Sequence, residues 1–439
     1  MTISELYLLY LQRPTVTTDS RTCPSGSIFF ALKGESFDGN TFAEKALLSG
    51  CAYAVVDDAS VVKGNRMILV DDVLSTLQQI AYTHRKALGI PVIGITGTNG
   101  KTTTKELTAA ILSQKYNALY TLGNFNNHIG VPLTLLRLTN EHEIAVIEMG
   151  ANHPGEISEL ANIAYPDYGL ITNVGYAHLE GFGSFEGVIK TKGELYDFLR
   201  KTNGSIFINQ ENEYLAGIAG NLKKITYGEI ASVKNPAPVN NPGPFIGGKT
   251  YRRHPFFSFQ WQQQGKAIQN VSTNLIGDYN LWNALAAIAI GVYFGVSPEQ
   301  INKAIETYEP TNNRSQRKIT KHNELIIDTY NANPSSMRVA LENFAAMKSS
   351  PKAVILGDMR ELGEKSPELH ADIVKQIECD GFDKVLLCGE QFSGTGQKYT
   401  CFPSVEKLNE YLENNPLQGY HILIKGSRGI HLEKTIDKL

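Results

Sequence analysis

The sequence predicts an α/β protein built from three consecutive units. Three observations carry that reading. The chain is 439 residues long, a length that suits two or three domains. Residues 90–114, IPVIGITGTNGKTTTKELTAAILSQ, pass from a β-branched run through a glycine-rich turn into a helical pattern. Beyond Pro310, short apolar runs alternate with helix-length amphipathic stretches, as in a parallel sheet with crossover helices.

Composition narrows the class. An apolar share of 42% and a charged share of 19% fit a globular protein with ample core. The net charge of −3 argues against a nucleic-acid footprint or a polybasic membrane face. The five cysteines, Cys23, Cys51, Cys379, Cys388 and Cys401, show no zinc-ligand or redox spacing and read as reduced thiols. The opening MTISELYLLYLQRP carries Glu5, lacks a basic start and a small-residue cleavage site, and reads as a first helix. No apolar run approaches the length of a membrane span. The expectation is a soluble cytoplasmic monomer that neither binds nucleic acid nor inserts into a membrane.

In the first unit, residues 1–88, strands are expected at Ile28–Leu32, Ala52–Val56 and Met67–Val70, with a helix near Thr41–Ser49. A longer helix follows at Asp72–Leu88, its stripe made of Leu74, Leu77, Ile80, Ala81 and His84. Two polar clusters flank the first strand: Asp19-Ser20-Arg21 before it and Lys33-Gly34-Glu35-Ser36-Phe37-Asp38-Gly39 after it. They read equally well as plain loops or as the rim of a ligand site.

The second unit, residues 89–309, begins with the glycine-rich turn. Gly94, Gly97 and Gly100 precede Lys101, Thr102 and Thr103. Glycines let backbone N–H groups turn inward onto phosphate oxygens, and a helix start adds partial positive charge. A lysine then reaches the terminal phosphates, and a threonine hydroxyl ligates Mg²⁺. The strict phosphate-loop pattern has glycine at position 95, where this chain has Ile95, so the loop is a variant. Downstream, Gly123-Asn124-Phe125-Asn126-Asn127-His128-Ile129-Gly130 is a run of turn formers whose amides also suit a sugar or peptide ligand. A strand at Ile144–Met149 holds Glu148 near its end, where a carboxylate beside a phosphate loop is a natural Mg²⁺ ligand.

A further strand at Gly169–Asn173 exits through a loop with His178. The helix after it runs from a Ser184 N-cap to Leu199, with Val188, Leu195 and Leu199 on its apolar stripe. Lys192 falls on that same stripe. Such a lysine either snorkels along its stem or is buried with a lowered pKa, which leaves a nucleophilic amine able to take up CO₂ as a metal-binding carbamate. Residues 203–275 are less informative: a Pro/Asn/Gly-rich connection at 235–244 lies between stretches that read as short strands. Gly277-Asp278-Tyr279-Asn280-Leu281-Trp282-Asn283 then opens a small-residue helix through 284–291, with Asn280 and Asn283 one turn apart.

The third unit, residues 310–439, has expected strands at Glu324–Ile327, Lys352–Leu356, Lys384–Cys388 and Ile422–Lys425. Helices are expected near Ser336–Lys348, Pro367–Cys379, Ser404–Leu412 and Ile430–Leu439. The loops Asp328-Thr329-Tyr330-Asn331-Ala332-Asn333-Pro334 and Lys425-Gly426-Ser427-Arg428 both follow strand ends and so share one sheet edge.

Taken together, TGTNGKTT at 96–103, GNFNNHIGVPLTLL at 123–136, EMGANHPGEI at 148–157, AHLEGFGSFEGVIKTKGEL at 177–195, DTYNANPSSM at 328–337, LGDMRELG at 356–363 and KGSRG at 425–429 resemble the Mur ligase family. The resemblance covers nearly the whole chain and is weakest from about 205 to 275. It implies an N-terminal UDP-sugar domain (1–88), a central ATP-binding P-loop domain (89–309) and a C-terminal Rossmann-like ligase domain (310–439). The YNANP, EMGAN and GNFNN forms look like the member that joins D-Ala-D-Ala to UDP-MurNAc-tripeptide in peptidoglycan precursor synthesis. That activity uses ATP and Mg²⁺ and passes through an acyl phosphate.

Residue by residue, the resemblance implies that Gly97, Thr98, Asn99, Gly100, Lys101, Thr102 and Thr103 hold the phosphates. Thr102, Glu148, His178 and a carbamylated Lys192 are implied on the metal side. With Lys101, the last three form the implied catalytic set. Asn280 and Asn283 match adenine-contacting residues, Arg314 a hinge arginine, and Asp328 and Asn331 a nucleotide-facing loop. Substrate roles are implied for Ser20, Arg21, Lys33, Gly34, Asp38, Asn126 and Asn127, and on the D-Ala-D-Ala side for Lys425, Ser427 and Arg428. Two departures stand out: Tyr279 replaces a common histidine, and Asn313-Arg314 replaces Gly-Arg. Other readings are a related amide ligase with another acceptor, such as a folate polyglutamate ligase, and a non-catalytic nucleotide-binding partner protein.

Overall fold

The computed structural model describes residues 1–230, 246–253, 256–311, 313–395 and 398–439. The connection expected at 235–244 lies outside them. Three main sheets follow one another along the chain. The first has four parallel strands in the order Val16–Thr17, Ile28–Phe30, Tyr53–Val56, Met67–Leu69. A small antiparallel hairpin, Lys33–Gly34 with Phe37–Asp38, stands beside it.

The opening helix forms at Ile3–Gln12 behind a Thr2–Glu5 capping box. The expected Asp72–Leu88 helix forms at Val73–Leu88, capped by Asp72 and closed by Gly89 at φ 65°. Leu77, Ile80, Ala81 and His84 are buried as expected, and so is Arg85. This helix belongs to two units at once. Its apolar face shares one core with Ile28, Phe30 and Val55 on one side and Val131, Ala145 and Leu160 on the other. Arg85 donates to the Ala164 and Tyr165 carbonyls at 3.2 and 3.0 Å and to Asp167 Oδ2 at 2.7 Å.

The second sheet has nine strands, ordered Gln269–Ser272, Ser258–Gln263, Ile246–Arg252, Lys223–Glu229, Ser205–Asn209, Tyr168–Ile171, Val92–Thr96, Ile144–Glu148, Ala118–Tyr120. The strands from Ile246–Arg252 through Ala118–Tyr120 pair in parallel, and Ser258–Gln263 and Gln269–Ser272 form an antiparallel extension. Val92–Thr96 is buried at all five residues, which explains its continuous apolar run in sequence. Ile93 and Ile95 pack with Leu107, Ile111 and Ile288 on one face. Val92 packs on the other face with Ile147 and Leu195. Gly94 permits that second packing, since a Cβ there would meet the Met149 side chain at 3.0 Å.

The third sheet runs Gln316–Ile319, Glu324–Asp328, His421–Lys425, Lys352–Gly357, Lys384–Cys388, Thr400–Phe402. Two features differ from expectation. Gln316–Ile319 adds an antiparallel edge to the otherwise parallel sheet. The chain end, expected as a helix at Ile430–Leu439, instead makes 3₁₀ turns at Arg428–Ile430 and Leu432–Lys438. His431 at φ 60° breaks the helix between them. Leu432 and Thr435, three residues apart, then face the core together, as a 3₁₀ turn requires.

Replacing Arg85 with alanine leaves Asp167 and two carbonyls without this partner at the joint of the first two units. We expect Arg85→Ala to lose about 2–4 kcal/mol, measured as a lower urea midpoint with the slope unchanged.

Candidate active site

A cavity of about 740 Å³ lies between the second and third sheets. Its walls come from the carboxyl ends of strands in both. Thr98–Thr103, Glu148, Thr172 and Asn173 come from the second, and Asp328, Asn331 and Lys425 from the third. Ligand sites of open α/β sheets occupy this edge, where loops diverge and helix N-termini converge.

The glycine-rich turn is clamped from two sides. A Cβ on Gly97, at φ 138°, would meet Thr172 Oγ1 at 2.1 Å. A Cβ on Gly100, at φ 79°, would meet Asn283 Oδ1 at 2.3 Å. Asn173 holds the turn: its backbone carbonyl accepts from Thr98 N at 2.9 Å and its side chain exchanges bonds with Asn99 N and O at 3.0 and 2.9 Å. The Lys101 ammonium folds back onto the Gly97 and Thr98 carbonyls at 2.7 and 2.9 Å. Burial pushes its pKa down to about 8, with Arg314 adding to the effect and Glu148 opposing it. A lysine stored on loop carbonyls beside a helix N-terminus is prepared to swing onto an anion.

Glu148 is buried at the end of its strand. Its Oε1 accepts from Thr102 Oγ1 at 3.1 Å and Asn126 Nδ2 at 2.9 Å, while Oε2 is buried with no hydrogen-bond partner among the described residues. A buried carboxylate oxygen without a donor calls for a cation. Thr102 and Glu148 therefore offer adjacent hard oxygens that fit Mg²⁺. Among the described residues no three His, Cys, Asp or Glu side chains group to hold a metal, so a full shell needs phosphate oxygens or a modified side chain.

Lys192 does not snorkel. It is 2% exposed, within the helix Phe185–Thr202 capped by Ser184. Its ammonium has a single long bond, to the Ala151 carbonyl at 3.3 Å, and lies 5.1 Å from the Phe182 ring centroid. Burial first, and the Lys101 charge second, push its pKa well below the usual lysine value. It sits behind the cavity wall, of which Ala151 is part. His178 lines the cavity and its Nδ1 meets Glu361 Oε2 of the third sheet's loop.

The expected base-reading pair is engaged internally. Asn283 Nδ2 donates to Asn280 Oδ1 at 2.8 Å, Asn283 Oδ1 accepts from Thr104 Oγ1 at 3.1 Å, and Asn280 Nδ2 donates to the Ile276 carbonyl at 2.9 Å. This chain of amides ties the helix Asn280–Tyr293 to the phosphate-loop helix Lys101–Leu112. Tyr279, the departure from histidine, bonds Ser315 Oγ at 2.6 Å. Arg314 stacks over the Tyr330 ring at 3.7 Å.

The remaining expected residues divide. Asn127 lines the cavity and its Oδ1 accepts from Gly130 N at 2.8 Å. Lys425 bonds Asp328 Oδ2 at 2.5 Å and the Asn331 carbonyl at 3.2 Å. Ser427 is buried, accepting from Arg360 N at 2.9 Å, and neither it nor Arg428 lines the cavity. Ser20, Arg21, Lys33, Gly34 and Asp38 stay on the first unit, outside the cavity. There Arg21 pairs with Asp19 and Lys33 with Asp57, both at 2.8 Å. Two residues escaped the sequence reading. Asn333 Nδ2 reaches Asn99 Oδ1 at 2.9 Å, joining the third sheet to the phosphate loop. Glu156 Oε2 accepts from Asn152 N and His153 N at 2.6 and 3.1 Å, folding the turn after Glu148. Their only sequence signal was membership of the quoted motifs.

Comparison with known proteins gives the family. Three domain models match consecutive stretches: "Mur ligase family, catalytic domain" at 15–98, "Mur ligase middle domain" at 95–291, and "Mur ligase, glutamate ligase domain" at 313–428. The chain belongs to the Mur ligase family. This Mur ligase is 35% identical to the UDP-N-acetylmuramoyl-tripeptide–D-alanyl-D-alanine ligase of Bacillus subtilis, over 97% of this chain and 92% of that protein. It is 34% identical to the Escherichia coli protein of the same name, over 97% and 93%. Among solved structures it resembles MurF from Acinetobacter baumannii, with TM-score 0.86, 32% identity and coverage of 97% and 93%. It also resembles the MurF ligase of Thermotoga maritima in complex with ADP, with TM-score 0.84, 26% identity and coverage of 97% and 96%.

The contact of Gly100 with Asn283 yields a test of the loop. Gly100→Ala should weaken ADP binding at least about tenfold, or roughly 1.4 kcal/mol, by isothermal titration calorimetry, and should also lower the melting temperature, since the new Cβ meets Asn283 Oδ1 and strains a left-handed backbone.

Proposed function

We propose that this protein is an ATP-dependent amide ligase that joins D-Ala-D-Ala to UDP-MurNAc-tripeptide in peptidoglycan precursor synthesis. The observation that carries the reading is identity of 33–35% to ligases of that name over 97–98% of the chain. Among the described residues no helix is long and apolar enough to cross a membrane. We place the protein in the cytoplasm as a monomer acting on small soluble substrates, without nucleic acid and without insertion into a membrane.

The reaction must bring two anions together. A carboxylate oxygen of the tripeptide bonds to the γ-phosphorus of ATP as the bond to ADP breaks. The D-Ala-D-Ala amine then bonds to the acyl carbon, loses a proton, and phosphate leaves. Neutralising charge is the main task of such a site. Here Lys101, the N–H groups from Gly97 to Thr103 and the helix start they open face the phosphates. Thr102, Glu148, His178 and Lys192 as its carbamate would hold Mg²⁺, which would supply further charge compensation for the phosphates. The lowered pKa of Lys192 supports that role, because only the neutral amine combines with CO₂. Asn280 and Asn283 take the adenine side, and Arg314, Asp328 and Asn331 the rest of the nucleotide. Asn126 and Asn127 face the peptide, while Ser20, Arg21, Lys33, Gly34 and Asp38 take the UDP-sugar. Lys425, Ser427 and Arg428 serve the incoming dipeptide. Closure of the units excludes water, which would hydrolyse an acyl phosphate.

Purified protein with ATP, Mg²⁺ and UDP-MurNAc-tripeptide should release phosphate at its full rate only when D-Ala-D-Ala is added, with a product mass matching the pentapeptide. Lys101→Ala should lower that rate more than about a hundredfold, or roughly 3 kcal/mol. Phosphate release unchanged in that variant would remove Lys101 from the mechanism.

For Lys192, alanine should abolish nearly all activity, and high bicarbonate should restore part of it. Absence of rescue would point to direct phosphate pairing instead of a carbamate.

A further inference from the structure

The loop 358–363 of the third sheet reaches across the cavity mouth to His178. Three contacts make the crossing: His178 Nδ1 meets Glu361 Oε2, Glu180 N donates to the Glu361 carbonyl at 3.5 Å, and Gly363 lies against Glu180. Both facing residues hold a left-handed backbone, His178 at φ 50° and Glu361 at φ 64°. Neither is glycine, so each conformation is strained and persists only where surroundings enforce it.

Stability does not account for the arrangement. The Glu361 side chain is 51% exposed and that of His178 21%. A side-chain contact between two residues this exposed contributes little to folding. The loop behind Glu361 is nonetheless built to hold it. Asp358 carboxylate oxygens accept from Gln391 N and Phe392 N, each at 2.9 Å. Met359 N donates to His370 Nε2 at 3.0 Å. Arg360 donates from its backbone to Ser427 Oγ at 2.9 Å and from its side chain to the Gly429 carbonyl at 3.0 Å. Glu361 therefore moves with the third sheet and with the 425–429 loop, while His178 moves with the second sheet.

The chemistry of imidazole makes this contact directional. A ring nitrogen facing a carboxylate carries the proton, which leaves the lone pair on the other nitrogen. Metal-bound histidines are oriented this way as a rule, and loss of the orienting partner costs about 10–100-fold in metal affinity or activity. We propose that Glu361 is the positioning residue of His178, supplied by the C-terminal domain, and that it turns Nε2 toward the cavity when the two domains meet as they do here. The inference rests on the reading of His178 as a ligand on the metal side. It makes that ligand depend on domain arrangement: a nucleotide on the second sheet alone leaves His178 unoriented.

The test counts bound Mn²⁺ by electron paramagnetic resonance of the free ion, with a non-hydrolysable ATP analogue present. The set is wild type, Glu361→Ala, Glu361→Gln and His178→Ala. The expected result is that Glu361→Ala and His178→Ala both weaken Mn²⁺ binding at the site that includes His178 by about tenfold or more. Glu361→Gln, whose amide oxygen still accepts from Nδ1, falls between them and wild type. Melting temperatures should stay level, and turnover should show a loss in kcat with little change in the KM for ATP. If His178→Ala loses the site while Glu361→Ala binds Mn²⁺ like wild type, the positioning role is overturned and the ligand stands. If His178→Ala also binds like wild type, the ligand reading fails and the positioning role fails with it. Glu361→Met, of similar length and without an acceptor oxygen, gives the same discrimination should the alanine variant fold poorly.

Discussion

The turn between Thr96 and Lys101 has no room for side chains at two points, and the rest of the site is arranged around that constraint. At Gly97 the backbone lies on Thr172, and at Gly100 it lies on Asn283. Such approach distances are open only to glycine. They press together the phosphate loop, the end of the neighbouring strand Tyr168–Ile171 and the helix Asn280–Tyr293. A loop seated this way has its N–H groups aimed before any ligand arrives, so little reorganisation is needed on binding.

Around that seat, charge is placed where it is costly to keep. Lys192 is buried and Lys101 half-buried on the cavity wall, both with lowered pKa values, and the charge of Lys101 is one cause of the shift at Lys192. Glu148 keeps one oxygen bonded and one without a partner among the described residues. A buried lone pair and a buried amine are unfavourable in a protein whose only need is to fold. They make sense in a site completed by phosphate and a cation. The arrangement also explains why the cavity sits between sheets: the second sheet carries the glycine-rich loop, Lys101 and Glu148, and the third faces them with Lys425, Asp328 and Asn333.

Much of this was legible along the chain. Parallel strands buried on both faces leave continuous apolar runs, so Val92–Thr96 and Ile144–Glu148 were readable. The helix cap at Ser184 was equally local. Lys192 on an apolar stripe signalled an anomaly, but the sequence left snorkelling and burial open, and packing chose burial. The helix expected over 430–439 failed because one left-handed residue, His431, cannot be read from periodicity. The edge strand Gln316–Ile319 was missed since an edge strand needs no buried face to announce it.

The order of the three units, the glycine-rich loop and the family motifs could be read along the chain, because those depend on local spacing and on residue types that few folds combine. Which residues meet across long chain separations was settled by folding. It set Asn283 on Gly100, Asn333 on Asn99 and Glu361 beside His178. It also placed Ser427 under Arg360 instead of in the cavity, and left Ser20, Arg21, Lys33, Gly34 and Asp38 on a separate rim. The physical reason is that side-chain periodicity reports which face of an element is buried. It carries no information on which distant element will supply the partner.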